Sequence, residues 1–321
     1  GGAGYIGTHA MLALMEAGGR PVVIDNLSTG VVDAVPANVP LYKADIADTS
    51  EVARILERHQ PQSVLHFAGS IIVPESVDQP ARYYENNTVA SLGLMKLCVE
   101  KGVAEFVFSS SAAVYGQPQH SPVQEDAAKE PLSPYGWSKL MTEQMAMDMS
   151  RANPGFRPVC LRYFNVAGAD PKGRAGQRGS QSTHLIRRAI DVARGKASVL
   201  EIFGDDYPTR DGTCERDYIH VSDLAAAHLS ALYHLQNGGA PVAVNCGYGR
   251  GITVREIISA VQIETGRPLN TRVAARRPGD APSVVADTTR VQKILNWKPE
   301  YQDVRKILRT AIAWDARMSG S

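Results

Sequence analysis

Gly1-Gly2-Ala3-Gly4-Tyr5-Ile6-Gly7, followed by Pro21-Val22-Val23-Ile24-Asp25, decides the fold. Glycines at 1, 4 and 7 let backbone approach a pyrophosphate. The pattern from Tyr5 to Gly18 reads as a helix whose first N–H groups and dipole favour that anion. The next run reads as a buried strand ending in Asp25, about 20 residues beyond the loop, where a carboxylate can hold ribose hydroxyls. An acid there repels a 2′-phosphate, so the pattern points to NAD over NADP. The strand that should feed the loop would lie upstream of Gly1.

Working outward, Ser63-Val64-Leu65-His66-Phe67, Glu105-Phe106-Val107-Phe108-Ser109 and Arg157-Pro158-Val159-Cys160-Leu161 read as further buried strands. Helical patterns cover Ser50 to His59 and Ala81 to Gly102. Apolar strands alternating with amphipathic helices imply a parallel sheet covered on both faces. The expectation is an α/β chain: a doubly wound parallel Rossmann sheet with a smaller α/β C-terminal substrate lobe. After Asn165 the texture changes. Gly168 to Gln181 is rich in Gly, Arg and Ser and reads as a long loop. Helices are expected near His184–Arg194, Val221–Gln236 and Thr253–Thr265. We expect a dinucleotide domain over 1–165, joined by parts of 210–250, and a discontinuous substrate lobe over 166–321.

Composition narrows the function. The 321 residues carry 34 Lys+Arg against 33 Asp+Glu, a formal charge of +1, which gives no basic excess for a nucleic-acid partner. Cys98, Cys160, Cys214 and Cys246 are scattered, with neither a disulfide framework nor metal-ligand spacing. A reducing cytoplasm is expected, with no metal. No apolar run approaches the ~18 residues of a membrane span.

Chemistry is signalled by Tyr135-Gly136-Trp137-Ser138-Lys139. A Tyr and a Lys four apart share one face of a helix beginning near Pro134. A neighbouring ammonium and a nicotinamide cation favour the phenolate, which makes Tyr135 a base near working pH. Ser109-Ser110-Ser111 closes a strand at the carboxyl edge where such sheets bind ligands. Alone, a Tyr–Lys pair is an ordinary surface feature. The order glycine loop, serine run, Tyr–Lys pair is what favours a catalytic site.

These residues resemble the extended short-chain dehydrogenase/reductase family. Longer blocks are similar to its UDP-galactose 4-epimerase members: His66-Phe67-Ala68-Gly69, Pro80 to Asn87, Phe108 to Gly116, Ser133 to Leu140, Leu161 to Gly168, Ile202 to Thr209, Gly212 to Leu224, Arg276 to Asp287 and Leu295-Asn296-Trp297. The resemblance covers nearly the whole chain in order. It implies Tyr135 as base, Lys139 on the nicotinamide ribose and Ser111 at the sugar's C4 oxygen. It implies a cofactor lining of Gly1, Gly4, Tyr5, Ile6, Gly7, Asp25, Asn26, Asp45, Ile46, Phe67, Ala68, Gly69, Asn86, Ser109 and Tyr163, together with Tyr135 and Lys139. For the UDP-sugar it implies Asn165, His184, Leu185, Glu201, Phe203, Arg216, Tyr218, Arg277, Asp280 and Val284, together with Ser111 and Tyr135. A homodimer packed through helices near Ala81–Gly102 and Tyr135–Ala152 is expected by the same analogy.

Some positions depart from that pattern. Ile71 stands where a cofactor-contacting Lys is usual, and Thr183-His184 where paired Asn residues are usual. Val284 replaces a large Tyr beside the sugar, which leaves room for an N-acetyl group. Ala112-Ala113 lacks the acid a 4,6-dehydratase needs. UDP-xylose/UDP-arabinose or UDP-glucuronate 4-epimerisation stays open as an alternative, and a non-catalytic NAD-sensing protein is a distant one, since both Tyr135 and Lys139 are intact.

Overall fold

The glycine turn feeds α1 (Tyr5–Glu16), and β1 (Val23–Asp25) follows it. The computed structural model describes residues 1–178, 184–277 and 279–320. β1 is shorter than the apolar run, because Pro21 has no N–H to give a ladder. It pairs in parallel with β2 (Leu41–Lys43). After α2 (Thr49–His59), β3 (Ser63–His66) and α3 (Val73–Asp78), one long helix is assembled from three pieces. α4 (Pro80–Tyr83) runs through a π-helical turn (Tyr84–Val89) into α5 (Ala90–Glu100). β4 (Glu105–Ser109), α6 (Pro134–Ala152) and β5 (Arg157–Tyr163) continue the winding.

β6 (Asn165–Ala167), α7 (Leu185–Ala193), β7 (Leu200–Phe203) and β8 (Glu215–His220) come next. α8 (Val221–Gln236) then leads to β9 (Val242–Cys246), which returns to the first sheet. The parallel order is β3-β4-β5-β9. Successive β4 side chains serve opposite faces, as a strand's period of two requires. Phe106 and Phe108 pack with Met95, Cys98 and Ala146 of α5 and α6. Val107 packs with Leu224, Ala227 and Ala231 of α8. Both faces are covered, so the sheet is doubly wound.

The remaining elements are β10 (Gly251–Thr253), α9 (Val254–Thr265), β11 (Thr271–Ala274), β12 (Ser283–Val284), α10 (Thr289–Leu295) and α11 (Val304–Met318). β8 is flanked by antiparallel β10 and parallel β12, and it also pairs β6 in parallel. β7 pairs β11. A third core, with Ile190, Ile202, Ile257 and Leu308, sits among α7, α9 and α11. α3, α10 and α11 were not anticipated from sequence. α3 and α10 are short, at 6 and 7 residues, and give too few turns for an amphipathic period to show.

Candidate active site

The glycine loop is shaped by backbone collisions. A Cβ on Gly7 would lie 2.4 Å from Gly1 O, and one on Gly1 would lie 2.4 Å from Ala68 N. Gly4 differs: its Cβ would meet only Gly1 O, at 3.4 Å. Gly4 is also the N-cap of α1, with no side chain capping the helix. The protein's own packing therefore does not demand a glycine at position 4. The space over Gly4, at an uncapped helix start, suits an anion.

Asp25 ends β1 with its carboxylate buried, accepting Ala3 N–H at 2.9 Å and Leu27 N–H at 2.8 Å. Asn26 donates to Asp45 Oδ2 at 2.8 Å, and Ile46 beside it is buried. These four residues gather on one rim of the loop. Tyr5 has a different part: its hydroxyl donates to Gly168 O at 2.6 Å, which ties α1 to the turn after β6.

Across the loop, Phe67, Ala68 and Gly69 follow β3. Gly69 has φ +149°, and a Cβ there would press Asn87 Oδ1 at 3.0 Å. Asn87 is the buried amide of the π turn. It accepts Ser70 N–H at 2.7 Å and donates to Ser138 Oγ at 3.0 Å, joining this segment to α6. Asn86, the residue expected from sequence, donates to Ser70 Oγ at 2.9 Å. Sequence reading missed Asn87, although a polar pair in one helix was the available signal. π turns recur at functional sites.

The reacting groups meet at the carboxyl end of β4. Ser133 caps α6 by accepting Gly136 N–H at 3.2 Å, which places Tyr135 and Lys139 on the helix's buried face. Lys139 Nζ donates to Ser109 O at 3.0 Å and lies 5.9 Å from the Tyr135 ring centroid. Burial brings the Lys139 ammonium down to about 8, while Glu143 one turn on favours the charge. Burial raises the Tyr135 phenol, and its hydrogen-bonding neighbour Ser111 works in the opposite direction. Tyr163, at the end of β5, neighbours both Tyr135 and the Ser109 hydroxyl.

Each serine of the run has its own partner. The Ser109 hydroxyl meets His228 Nε2 at 2.7 Å. Ser110 donates to Glu143, which also holds Arg162 in a buried pair at 2.7 Å. Ser111 accepts Ala113 N–H at 3.1 Å and starts a short 3₁₀ turn. His228, Glu143 and Arg162 were not recognised from sequence.

A second group of expected residues lies along β8. Arg216 and Tyr218, two apart, share one face of the strand. Arg216 pairs with Asp280 at 3.3 Å and donates to Ala281 O at 2.8 Å. Val284 is its register partner in β12. Arg277 stacks its guanidinium 3.7 Å from the Phe203 ring centroid. Farther along, Asn165, His184, Leu185 and Tyr218 line one cleft. Glu201 sits on β7 with its side chain paired to Arg272 at 2.5 Å. Thr183 lies outside the described residues. Ile71 is exposed and offers no polar group.

A glycine cradle, a strand-end acid and a Tyr–Lys–Ser cluster on a doubly wound sheet define a nucleotide-cofactor site built for proton and hydride chemistry. The chain belongs to the NAD dependent epimerase/dehydratase family, which it matches over residues 1–247. Among curated relatives, it is 50% identical to a UDP-glucose 4-epimerase of Azospirillum brasilense, over 100% of this chain and 92% of that one. A solved UDP-glucose 4-epimerase of Brucella ovis in complex with NAD superimposes with TM-score 0.95 at 44% identity, covering 98% of this chain and 96% of that one. The UDP-Glc/GlcNAc 4-epimerase of Campylobacter jejuni gives TM-score 0.88 at 41% identity, covering 99% and 98%.

Proposed function

We propose that the protein interconverts UDP-glucose and UDP-galactose by inverting carbon 4, with NAD as a resident cofactor. The observation that carries this reading is the meeting of Tyr135, Lys139 and Ser111 beside the glycine cradle. The cradle fits NAD on two counts: the space over Gly4 takes a pyrophosphate, and Asp25 stands at the strand end for the adenosine ribose. When bound, NAD would supply a reversible hydride acceptor for C4 of the sugar. Tyr135 is the base, taking the 4-hydroxyl proton through Ser111. Lys139 holds the nicotinamide ribose and favours the Tyr135 phenolate by its charge. Phe203, Arg216, Arg277 and Asp280 hold the uridine diphosphate, so that the keto sugar turns while its nucleotide stays fixed. Grip on the nucleotide and slack at the sugar are what a two-faced reduction needs. We assign 1–165, with α8 and β9, to the cofactor and the rest of 166–321 to the UDP-sugar.

The test is chromatography of UDP-galactose after incubation with purified protein and no added NAD, beside an NAD assay of the denatured protein. UDP-glucose formation with NAD released supports the reading. NAD released with no UDP-glucose sets it aside.

The pocket extends the range to N-acetylated sugars. Val284 presents a small side chain in register with Arg216, which itself pairs with Asp280, and single pocket contacts discriminate by about 1–3 kcal/mol. Val284→Tyr should lower turnover of UDP-N-acetylglucosamine about 10-fold or more relative to UDP-glucose, and equal turnover in both variants rejects the idea. The protein acts as a homodimer in this reading, since Val89, Leu92, Trp137 and Met141 expose apolar surface on the two helices expected to pair. Trp137→Glu should halve the mass seen by light scattering. Its four cysteines are buried free thiols, which suits the cytoplasm. No helix among the described residues is long and apolar enough to cross a membrane.

A further inference from the structure

We infer that Tyr115 is a positioning residue: its buried hydroxyl anchors the far end of the 3₁₀ turn that begins at Ser111, and so fixes where Ser111 stands in the site. This rests on the role proposed above for Ser111.

The turn covers Ala112–Tyr115, with Ser111 as its N-cap. Its first end leaves β4, where Ser110 N–H donates to Leu161 O at 2.9 Å. Its middle lies against the first turn of α6. A Cβ on Gly136 would fall 2.6 Å from Ala113 O, so the backbone of the turn sits directly on the residue after Tyr135. Its last side chain, Tyr115, runs into the interior with 1% of its surface exposed. There β5 and β9 present Arg162 and Asn245, which are register partners on adjacent strands. The Tyr115 hydroxyl accepts from Arg162 Nη1 at 2.9 Å and donates to Asn245 Oδ1 at 2.6 Å.

The direction of each bond is forced. A guanidinium only donates, so the Tyr115 oxygen must accept from it. Asn245 Nδ2 donates to Val123 O at 2.8 Å, which leaves Oδ1 to take the phenol's hydrogen. Both partners are themselves held: Arg162 by Glu143 and by Glu125 O at 3.0 Å, Asn245 by its N–H donating to Glu125 Oε1 at 3.0 Å. Burial pushes the Tyr115 phenol up to about 12, so it keeps its hydrogen at neutral pH. Packing alone does not call for the hydroxyl. Val114, Val123 and Leu140 surround the ring, and phenylalanine would fill the same space. What the oxygen adds is position. A four-residue turn tied both at β4 and to the sheet leaves Ser111 little freedom, whereas one tied at β4 alone can pivot.

The test is a double-mutant cycle of Tyr115→Phe and Ser111→Ala, reading kcat and KM for UDP-galactose in protein that carries its NAD. Tyr115→Phe should lower kcat about 10-fold, with KM and NAD content unchanged. In the Ser111→Ala background the same change should move kcat less than about 2-fold, since the serine it positions is gone. The full loss repeated in that background would overturn the inference, as would Tyr115→Phe with wild-type kcat and only a lower urea midpoint. If Tyr115→Phe does not fold, Asn245→Leu removes the hydroxyl's acceptor and must give the same Ser111-dependent loss. Wild type that leaves UDP-galactose unconverted, or Ser111→Ala with wild-type kcat, would count against the epimerase reading itself. Additive losses in an active enzyme count against this inference alone.

Discussion

Gly4→Ala and Gly7→Ala separate a glycine kept for a ligand from one kept for the fold. Gly4 has φ −78° and ψ 175°, which alanine adopts freely, and its Cβ would meet only Gly1 O at 3.4 Å. Alanine should gain about 0.4–1 kcal/mol through the unfolded chain and lose a similar amount as a poor N-cap. The denaturation midpoint should therefore barely move. The added methyl would occupy the gap between backbone and pyrophosphate, however. Overpacking of about 1–3 kcal/mol there weakens NAD by about 10- to 100-fold. At Gly7 the Cβ would sit 2.4 Å from Gly1 O and 2.8 Å from Gly2 Cα, and both contacts are backbone that cannot rotate aside. Gly7→Ala should lose about 1–3 kcal/mol of stability as well as NAD. The assay is NAD titration of stripped protein by calorimetry, beside urea unfolding without NAD. A Gly4→Ala protein that binds NAD like wild type would refute the placement of the pyrophosphate over Gly4.

Other outcomes follow from the same geometry. Tyr135→Phe should lower kcat by about 100- to 10,000-fold while the purified protein keeps its NAD, checked by turnover and nucleotide release. Burial holds Lys139 near 8 against an ordinary 10.5, so between those values the unfolded chain binds the extra proton. Stability from this group should rise as pH climbs from about 8 to 10.5, by on the order of 3 kcal/mol, and Lys139→Met should remove that rise in urea unfolding. Glu143→Ala strands the buried Arg162 and frees Ser110, and should cost about 3–5 kcal/mol by the same method.

Sequence carried the parts of the site whose signals are local. The glycine spacing, the acid closing β1 and the Tyr135–Lys139 interval each depend on residues close in the chain. Helix geometry or strand length turns such intervals directly into position. The resemblance supplied the β8 and Arg277 groups, which no spacing argument reaches. His228 stayed hidden because its partner is 119 residues away and its own surroundings in α8 look like ordinary helix core. Glu143 and Arg162 stand 19 residues apart on different elements, and only tertiary packing buries them together. Asn86 and Asn87 were indistinguishable as neighbours of like chemistry. The π turn decides between them by turning Asn87 inward. β2 and β6, three residues each, carry too little period to be read on their own, whereas β1 sits inside a longer apolar run.

The most direct measurement uses UDP-galactose carrying deuterium at carbon 4, incubated in ordinary water with purified protein and no added NAD. Hydride held on a resident cofactor and returned to the same sugar leaves the deuterium at carbon 4 of the UDP-glucose formed, and mass spectrometry should find it retained. Loss of the label to water would mean that carbon 4 exchanges as a proton, and would contradict hydride transfer at the Tyr135 site.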